Sequence, residues 1–274
     1  MDIKAFKMDG LGNDFVIIDQ RYQNYNLTKD QIIKICDRKF IGCDQLIFIQ
    51  KSDEKDAGLE FYNSDGSISG ACGNGTRCVA DLLSKENHDK EIILWTSSGA
   101  LKSQILDDNL VETEIGVPKT NWNEIPLNQN LDTKNLNIKI VNKNNIEHVG
   151  GTSVNVGNPH VVFFVDNIED YDLKKIGPEI ENHKYFPEKC NVTLAQVINK
   201  KLIKVKVWER GAGLTKACGT AACATAVAAN INELTDKTTD IEFALGKLSI
   251  SIDENNSIHM KGPVSDIKNI EINI

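Results

Sequence analysis

"TKACGTAACATAVAA", residues 215–229, is the stretch whose reading decides the fold. After Cys218 and Gly219 it runs through Ala, Thr and Val with no charged side chain and no polar face. A helix apolar on every side must be enclosed by other elements. Its small side chains let surrounding strands approach closely. A second stretch, "SGACGNGTRCVADLL", residues 69–83, has the same construction: Ala, Cys, Gly, a small polar residue, then a helix-like run. Cys72 and Cys218 lie 146 residues apart in a chain of 274, which suits a duplication. The expected fold class is therefore α+β: two similar, pseudo-symmetric domains, each an antiparallel, barrel-like β-sheet wrapped around a central helix.

The remaining segments supply the strands. "DFVIID", "QLIFIQ", "LEFYN", "HVVFFV", "LIKVKVW" and "KLSISID" are strand-sized, several alternate with the two-residue period of a half-buried strand, and Gly, Asn and Asp punctuate them. "LTKDQIIKICDRKF" opens with Thr28 and has Gln31 three residues on, which predicts a capped helix. "YDLKKIGPEIENH" reads as a weaker helix broken at Pro178. The domains are expected at 1–118 plus 264–274, carrying Cys72, and at 119–263, carrying Cys218. The junction falls in the polar stretch "PKTNWNEIPLNQN", residues 118–130.

Bulk properties exclude several classes. A formal net charge of −8 argues against nucleic acid as the main partner, because phosphate binding wants a basic surface. No segment approaches the ~20 apolar residues that span a bilayer, so no membrane partner is expected. The opening "MDIKAFKMDG" lacks the apolar core of a secretory signal. The cysteine count of seven is odd and contains no C-x-x-C, against a disulfide framework and for a reduced, cytoplasmic setting. Cys72 and Cys78 are six apart and Cys218 and Cys223 five apart, neither a usual zinc spacing, so no metal is expected. "GLGND" and "GAGLTK" both miss the phosphate-loop and dinucleotide spacings.

Each Cys-Gly motif places a sulfur just before the first turn of a helix. Free backbone N–H groups and the positive end of the helix dipole lie there. That setting favours thiolate and can hold a carboxylate. Two such motifs facing one substrate carbon across a cleft could remove an α-proton on one side and return one on the other. The helix termini would stabilise the charge that develops on the carboxylate, one such donor being worth roughly 3 kcal/mol. Cys36, Cys43, Cys78, Cys190 and Cys223 read instead as small buried hydrophobes.

"SDGSISGACGNGTRC" (64–78) and "ERGAGLTKACGTAACA" (209–224) resemble the two signatures of the diaminopimelate epimerase family. "GLGNDF" (10–15) and "GNPH" (157–160) are similar to further family segments, and all four stand in the expected order. The proline racemases resemble this pattern but differ around the cysteines; the phenazine-type isomerases share the fold and lack the cysteine pair. The resemblance implies a diaminopimelate epimerase-like fold. It implies an isomerase that interconverts LL- and meso-diaminopimelate without pyridoxal phosphate or any other cofactor, acting as a homodimer on a small-molecule substrate. Its product would serve lysine synthesis or cell-wall building. Carried over by motif, Cys72 and Cys218 are the acid/base pair. Backbone N–H groups of Gly73, Asn74, Gly219 and Thr220 hold the α-carboxylate, and Asn13 and Gln45 hold the α-amine. Asn63, Asn158, Asn191, Glu209 and Arg210 read the distal end, and His160 and Glu209 tune the thiols.

The distal set makes independent chemical sense. Diaminopimelate carries a second ammonium and a second carboxylate; Arg210 can grip the one in a fork and Glu209 can accept from the other. Two positions depart from the family pattern: Leu214 stands where many relatives have an acidic residue, and Ala221 where a glycine is common. A racemase acting on another amino acid, without the need for that distal set, is the nearest alternative. A thiol redox protein is a more distant one.

Overall fold

The internal repeat is written in the strand pairings. The computed structural model describes residues 2–70, 72–97, 99–107 and 109–274. The chain divides into two units, Met1–Glu114 with Lys261–Ile274, and Ile115–Met260. In the first unit β1 (Asp2–Gly10) runs antiparallel to β2 (Asn13–Asp19). Helix α1 (Lys29–Cys36) crosses to β3 (Gln45–Gln50), which is parallel to β2. β4 (Ala57–Asn63) returns antiparallel to β3, and the two-residue β5 (Ile68–Ser69) pairs back on β4. Helix α2 (Gly73–Asn87) then crosses to β6 (Glu91–Thr96), parallel to β4. β7 (Gly99–Asp107) and β8 (Leu110–Gly116) follow as an antiparallel meander.

The second unit opens with a hairpin of its own, β9 (Ile138–Val141) and β10 (Glu147–Gly150). It then repeats the first unit's order. β11 (Thr152–Asn155) is antiparallel to β12 (Pro159–Phe164); helix α3 (Leu173–Glu181) leads to β13 (Asn191–Asn199), parallel to β12. β14 (Leu202–Glu209) is antiparallel to β13, and β15 (Gly213–Thr215) pairs back on β14. Helix α4 (Gly219–Ile231) crosses to β16 (Thr238–Phe243), parallel to β14, and β17 (Gly246–Ile252) and β18 (Ile258–Pro263) follow. β19 (Lys268–Asn273) completes the first unit by pairing antiparallel with β1.

The α+β class of two similar units is as expected, and the antiparallel sheet of each unit has two exceptions. Two crossovers, one through each helix, make two strand pairs parallel. The consequence is visible in β2, where Phe15, Val16, Ile17 and Ile18 are all fully buried rather than alternating. A parallel pair covered on both faces reads as a continuous apolar run. Phe15 and Ile17 pack with Cys78, Val79 and Leu83 of α2, whereas Val16 and Ile18 pack with Ile32 and Ile35 of α1. In the second unit Val161 and Phe163 of β12 pack with Leu173, Ile176 and Ile180 of α3.

The central helices differ in how they tolerate enclosure. In α4 every residue from Ala221 to Ala229 is buried, as its all-round apolar pattern predicts. In α2 the charged Arg77 and Asp81 are equally buried, and Asp81 is paired with Lys85 at 2.8 Å. The capping box expected at Thr28 forms: Thr28 Oγ1 accepts from the Gln31 amide, and the Gln31 side chain accepts from the Thr28 amide. The break expected at Pro178 does not occur. Pro178 lies inside α3, which runs on to Glu181. A proline removes one ladder bond from a nine-residue helix, and burial of Leu173, Ile176 and Ile180 on one side outweighs that loss.

Candidate active site

In the first unit the expected site residues collect at one end of the sheet. Asn13 opens β2, Gln45 opens β3, Asn63 ends β4 and Cys72 is the N-cap of α2. The Cys72 carbonyl accepts from both the amide and the hydroxyl of Thr76, at 2.8 and 2.9 Å, which pins the start of the helix. The amides of Gly73, Asn74 and Gly75 precede the first intrahelical bond and carry the positive end of the dipole. Asn13 Oδ1 lies 3.7 Å from Cys72 Sγ, which donates to it, and accepts from Asn74 Nδ2 at 3.3 Å. Gln45 Nε2 donates to Asn63 Oδ1 at 2.9 Å.

Behind these stand residues that the sequence pattern did not single out. Asp44 Oδ2 accepts from Asn13 Nδ2 at 3.0 Å, and Arg38 bonds both Asp44 and, in a fork at 2.7 and 2.8 Å, Asp14. Burial pushes the Asp14 carboxyl up, but the Arg38 bond and charge, with Lys7, hold it below the usual range. Arg77 donates to Asn74 Oδ1 at 3.0 Å from inside the core. Asp44 adjoins Gln45, Asp14 adjoins Asn13 and Arg77 stands within the first cysteine motif, whereas Arg38 carried no positional hint.

The second unit repeats the arrangement with other side chains. Asn158 precedes β12, Asn191 opens β13, Glu209 ends β14, and Cys218 caps α4. The repeat is exact in spacing: Gln45 to Asn63 and Asn191 to Glu209 are each 18 residues, and Asn63 to Cys72 and Glu209 to Cys218 are each nine. Register agrees, since Leu46 faces Tyr62 as Val192 faces Trp208. Cys218 is 7% exposed; its Sγ accepts from the Ala221 amide at 3.4 Å and lies 3.4 Å from Thr220 Oγ1. A donor aimed at sulfur favours the thiolate. Asn191 Oδ1 accepts from the Arg210 amide at 2.9 Å and its Nδ2 donates to the Pro159 carbonyl at 3.1 Å. The same Nδ2 also lies 3.4 Å from His160 Nε2. The Arg210 guanidinium donates to the Glu188 carbonyl at 2.8 Å.

His160 is fully buried, and burial with the nearby Arg210 charge pushes its pKa down to about 3. It is therefore neutral at physiological pH and does not act on a thiol by carrying charge. Nε2 lies 2.8 Å from Asn158 Oδ1, so the Nε2–H tautomer donates there and fixes that side chain. Burial also pushes the Cys78 and Cys190 thiols up, consistent with inert core sulfur.

One of the two departures has a local explanation. Gly75 is the third residue after Cys72, and a Cβ there would lie 2.8 Å from Ile47 and 2.9 Å from Phe61. Ala221 is the third residue after Cys218, and the strand pair that corresponds to Ile47 and Phe61 is Thr193 and Val207. Smaller partners leave room for a methyl group, and alanine favours the helix. Leu214 faces Trp208 across β15 and β14 and is 46% exposed; nothing in the structure explains its choice.

Comparison with known proteins begins with the fold. Over the whole of both chains the structure is similar to a phenazine biosynthesis protein of the PhzF family from Bacillus anthracis, with a TM-score of 0.70 and 16% identity. It is similar to a probable proline racemase from Agrobacterium radiobacter K84 with the same TM-score and 10% identity, over 99% of this chain and 93% of that one. The class is thus the two-domain fold shared by racemases and phenazine-type proteins. Sequence narrows it. Residues 5–120 and 152–267 match the diaminopimelate epimerase family model, and the chain belongs to that family. It is 77% identical to the diaminopimelate epimerase of Pelagibacter ubique (strain HTCC1062) over all of both chains, and 42% identical to that of Phenylobacterium zucineum over 94% of each.

Proposed function

We propose that this chain interconverts LL- and meso-diaminopimelate with Cys72 and Cys218 as its two bases. What carries the reading is a single observation: a cysteine caps the buried central helix of each unit at equivalent points of the repeat. One sulfur, as thiolate, takes the α-proton; the C–H electron pair passes into the α-carbon and its carboxylate. The other sulfur, as thiol, delivers its proton to the opposite face, so one S–H forms and one breaks. The amides that begin α2 and α4 bear the developing carboxylate charge. Asn13 and Gln45 hold the α-amine. Asn63, Asn158, Asn191, Glu209 and Arg210 bind the distal ammonium and carboxylate, which a substrate without those groups would leave unpaired. A homodimer in the cytoplasm belongs to the same proposal.

Incubation with LL-diaminopimelate in heavy water, with no cofactor added, tests it. The expected product is the meso isomer carrying deuterium at one α-carbon. Cys72→Ser and Cys218→Ser should each depress turnover by orders of magnitude. Full epimerisation by Cys218→Ser would refute the two-base scheme.

A further inference from the structure

Glu181 is a buried carboxylate, 6% exposed, at the last position of α3, and the reaction above makes no use of it. Its Oε2 accepts from the indole N–H of Trp208 at 2.7 Å, and its Oε1 accepts from the backbone amide of Gly211 at 3.2 Å. Trp208 immediately precedes Glu209, and Gly211 immediately follows Arg210. One carboxylate therefore brackets the Glu209–Arg210 pair from both sides. Between those two bonds the Arg210 amide is held by Asn191. The turn that carries the pair thus hangs on two side-chain acceptors from other elements.

Alternative roles fit less well. The cation paired with Glu181 among the described residues is Lys189, at 3.8 Å and 55% exposed, a long contact at the surface. Such a pair does not repay the burial of a carboxylate. The bonds to Trp208 and Gly211 are the short and sheltered ones, and hydrogen bonds to a charged acceptor are the stronger kind. The fold also brings α3 unusually close to reach them. A Cβ at Gly177 would overlap the Trp208 ring, so glycine at that position lets the helix lie directly on the indole. Gly211, at φ 76°, then turns its amide back toward the helix end.

We propose that Glu181 is a positioning residue that fixes the Glu209–Arg210 turn and so sets selectivity for a substrate with a charged distal end. This rests on the function proposed above. Glu181→Gln keeps the volume but offers one carbonyl acceptor to two donors and turns an NH2 toward the other. Trp208→Phe keeps the packing on Gly177 and removes one donor, and it serves if Glu181→Gln does not fold. Two readouts separate the layers. The first is hydrogen exchange of the Gly211 amide, which needs no substrate: protection should fall about ten-fold in Glu181→Gln, the loss of roughly one charge-assisted bond. The second is kcat/KM for diaminopimelate against kcat/KM for 2-aminopimelate, which lacks the distal ammonium. The ratio should fall about ten-fold, chiefly through KM for diaminopimelate. Unchanged Gly211 protection, or equal losses on both substrates, would overturn the proposal. If the wild-type protein turns over neither substrate while Gly211 protection falls as expected, the function fails and the tethering of the turn stands.

Discussion

Replacing His160 with glutamine should blunt the protein's sensitivity to mild acid. Folded, the imidazole stays neutral down to about pH 3, because burial and then Arg210 disfavour its cation. Unfolded, it takes a proton near pH 6.5. Between those values the unfolded chain binds a proton that the folded chain refuses, so stability falls as pH falls. Well below pH 6.5 each pH unit costs about 1.4 kcal/mol, and moving from pH 7 to 4.5 costs about 2.5 kcal/mol. Glutamine does not titrate, and its terminal amide nitrogen can stand where Nε2 donates to Asn158 Oδ1. Carboxylates with lowered pKa values, such as Asp14 held below 3.8, are common to both proteins and cancel. His183, whose pKa burial and Lys184 lower, is likewise common to both proteins and cancels. The assay is urea unfolding of wild type and His160→Gln at pH 7 and pH 4.5. Wild type should lose about 2.5 kcal/mol more than the variant between the two. Equal losses would mean that His160 is not held neutral, and the tautomer assigned to it would fall as well.

Two further outcomes follow from the repeat and the proposed assembly. Gly75→Ala should cost about 2 kcal/mol through overpacking against Ile47 and Phe61, whereas Ala221→Gly should cost about 1 kcal/mol through helix propensity alone; thermal unfolding that ranks them the other way would contradict the close packing at Gly75. Sedimentation equilibrium should give twice the 30.4 kDa chain mass, and a mass that stays at one chain at micromolar concentration would remove the homodimer.

The helix that follows Cys218 was legible because its sequence allows one environment only. A run such as Ala221 to Ala229 has no face to give to water, and its cysteine start announces itself twice. The strands were legible as elements but not in their pairing. Alternation and continuous burial were both present, and the run Phe15 to Ile18 could have signalled the parallel, doubly covered pair β2–β3. Pro178 misled because one lost bond was weighed without the burial that holds α3 in place. The supporting polar residues stayed hidden for a different reason. Arg38, Asp44 and Glu181 act on partners that other elements bring to them, as Glu181 does on Trp208, 27 residues away, and no local pattern records such a meeting.

The repeat itself shows what duplication keeps and what it releases. The two halves share their pairing order, the 18-residue and nine-residue intervals and the cysteine caps. Those features fix where a backbone amide and a sulfur stand. The side chains at equivalent points have diverged: Gln45 and Asn63 in one unit answer to Asn191 and Glu209 in the other. A reaction that inverts a stereocentre needs that combination. Its two proton-transfer arms must be alike in geometry, because the forward and reverse reactions use them in exchanged roles. The substrate's ends are not alike, one bearing the reacting carbon and one not, so the binding groups around the arms must differ. Selection on the backbone and freedom in the side chains give both, and they also explain why the halves look unrelated when read residue by residue. Equivalence survives in spacing and register, where position is set, and is lost in side-chain identity, where the proposed reaction asks for difference.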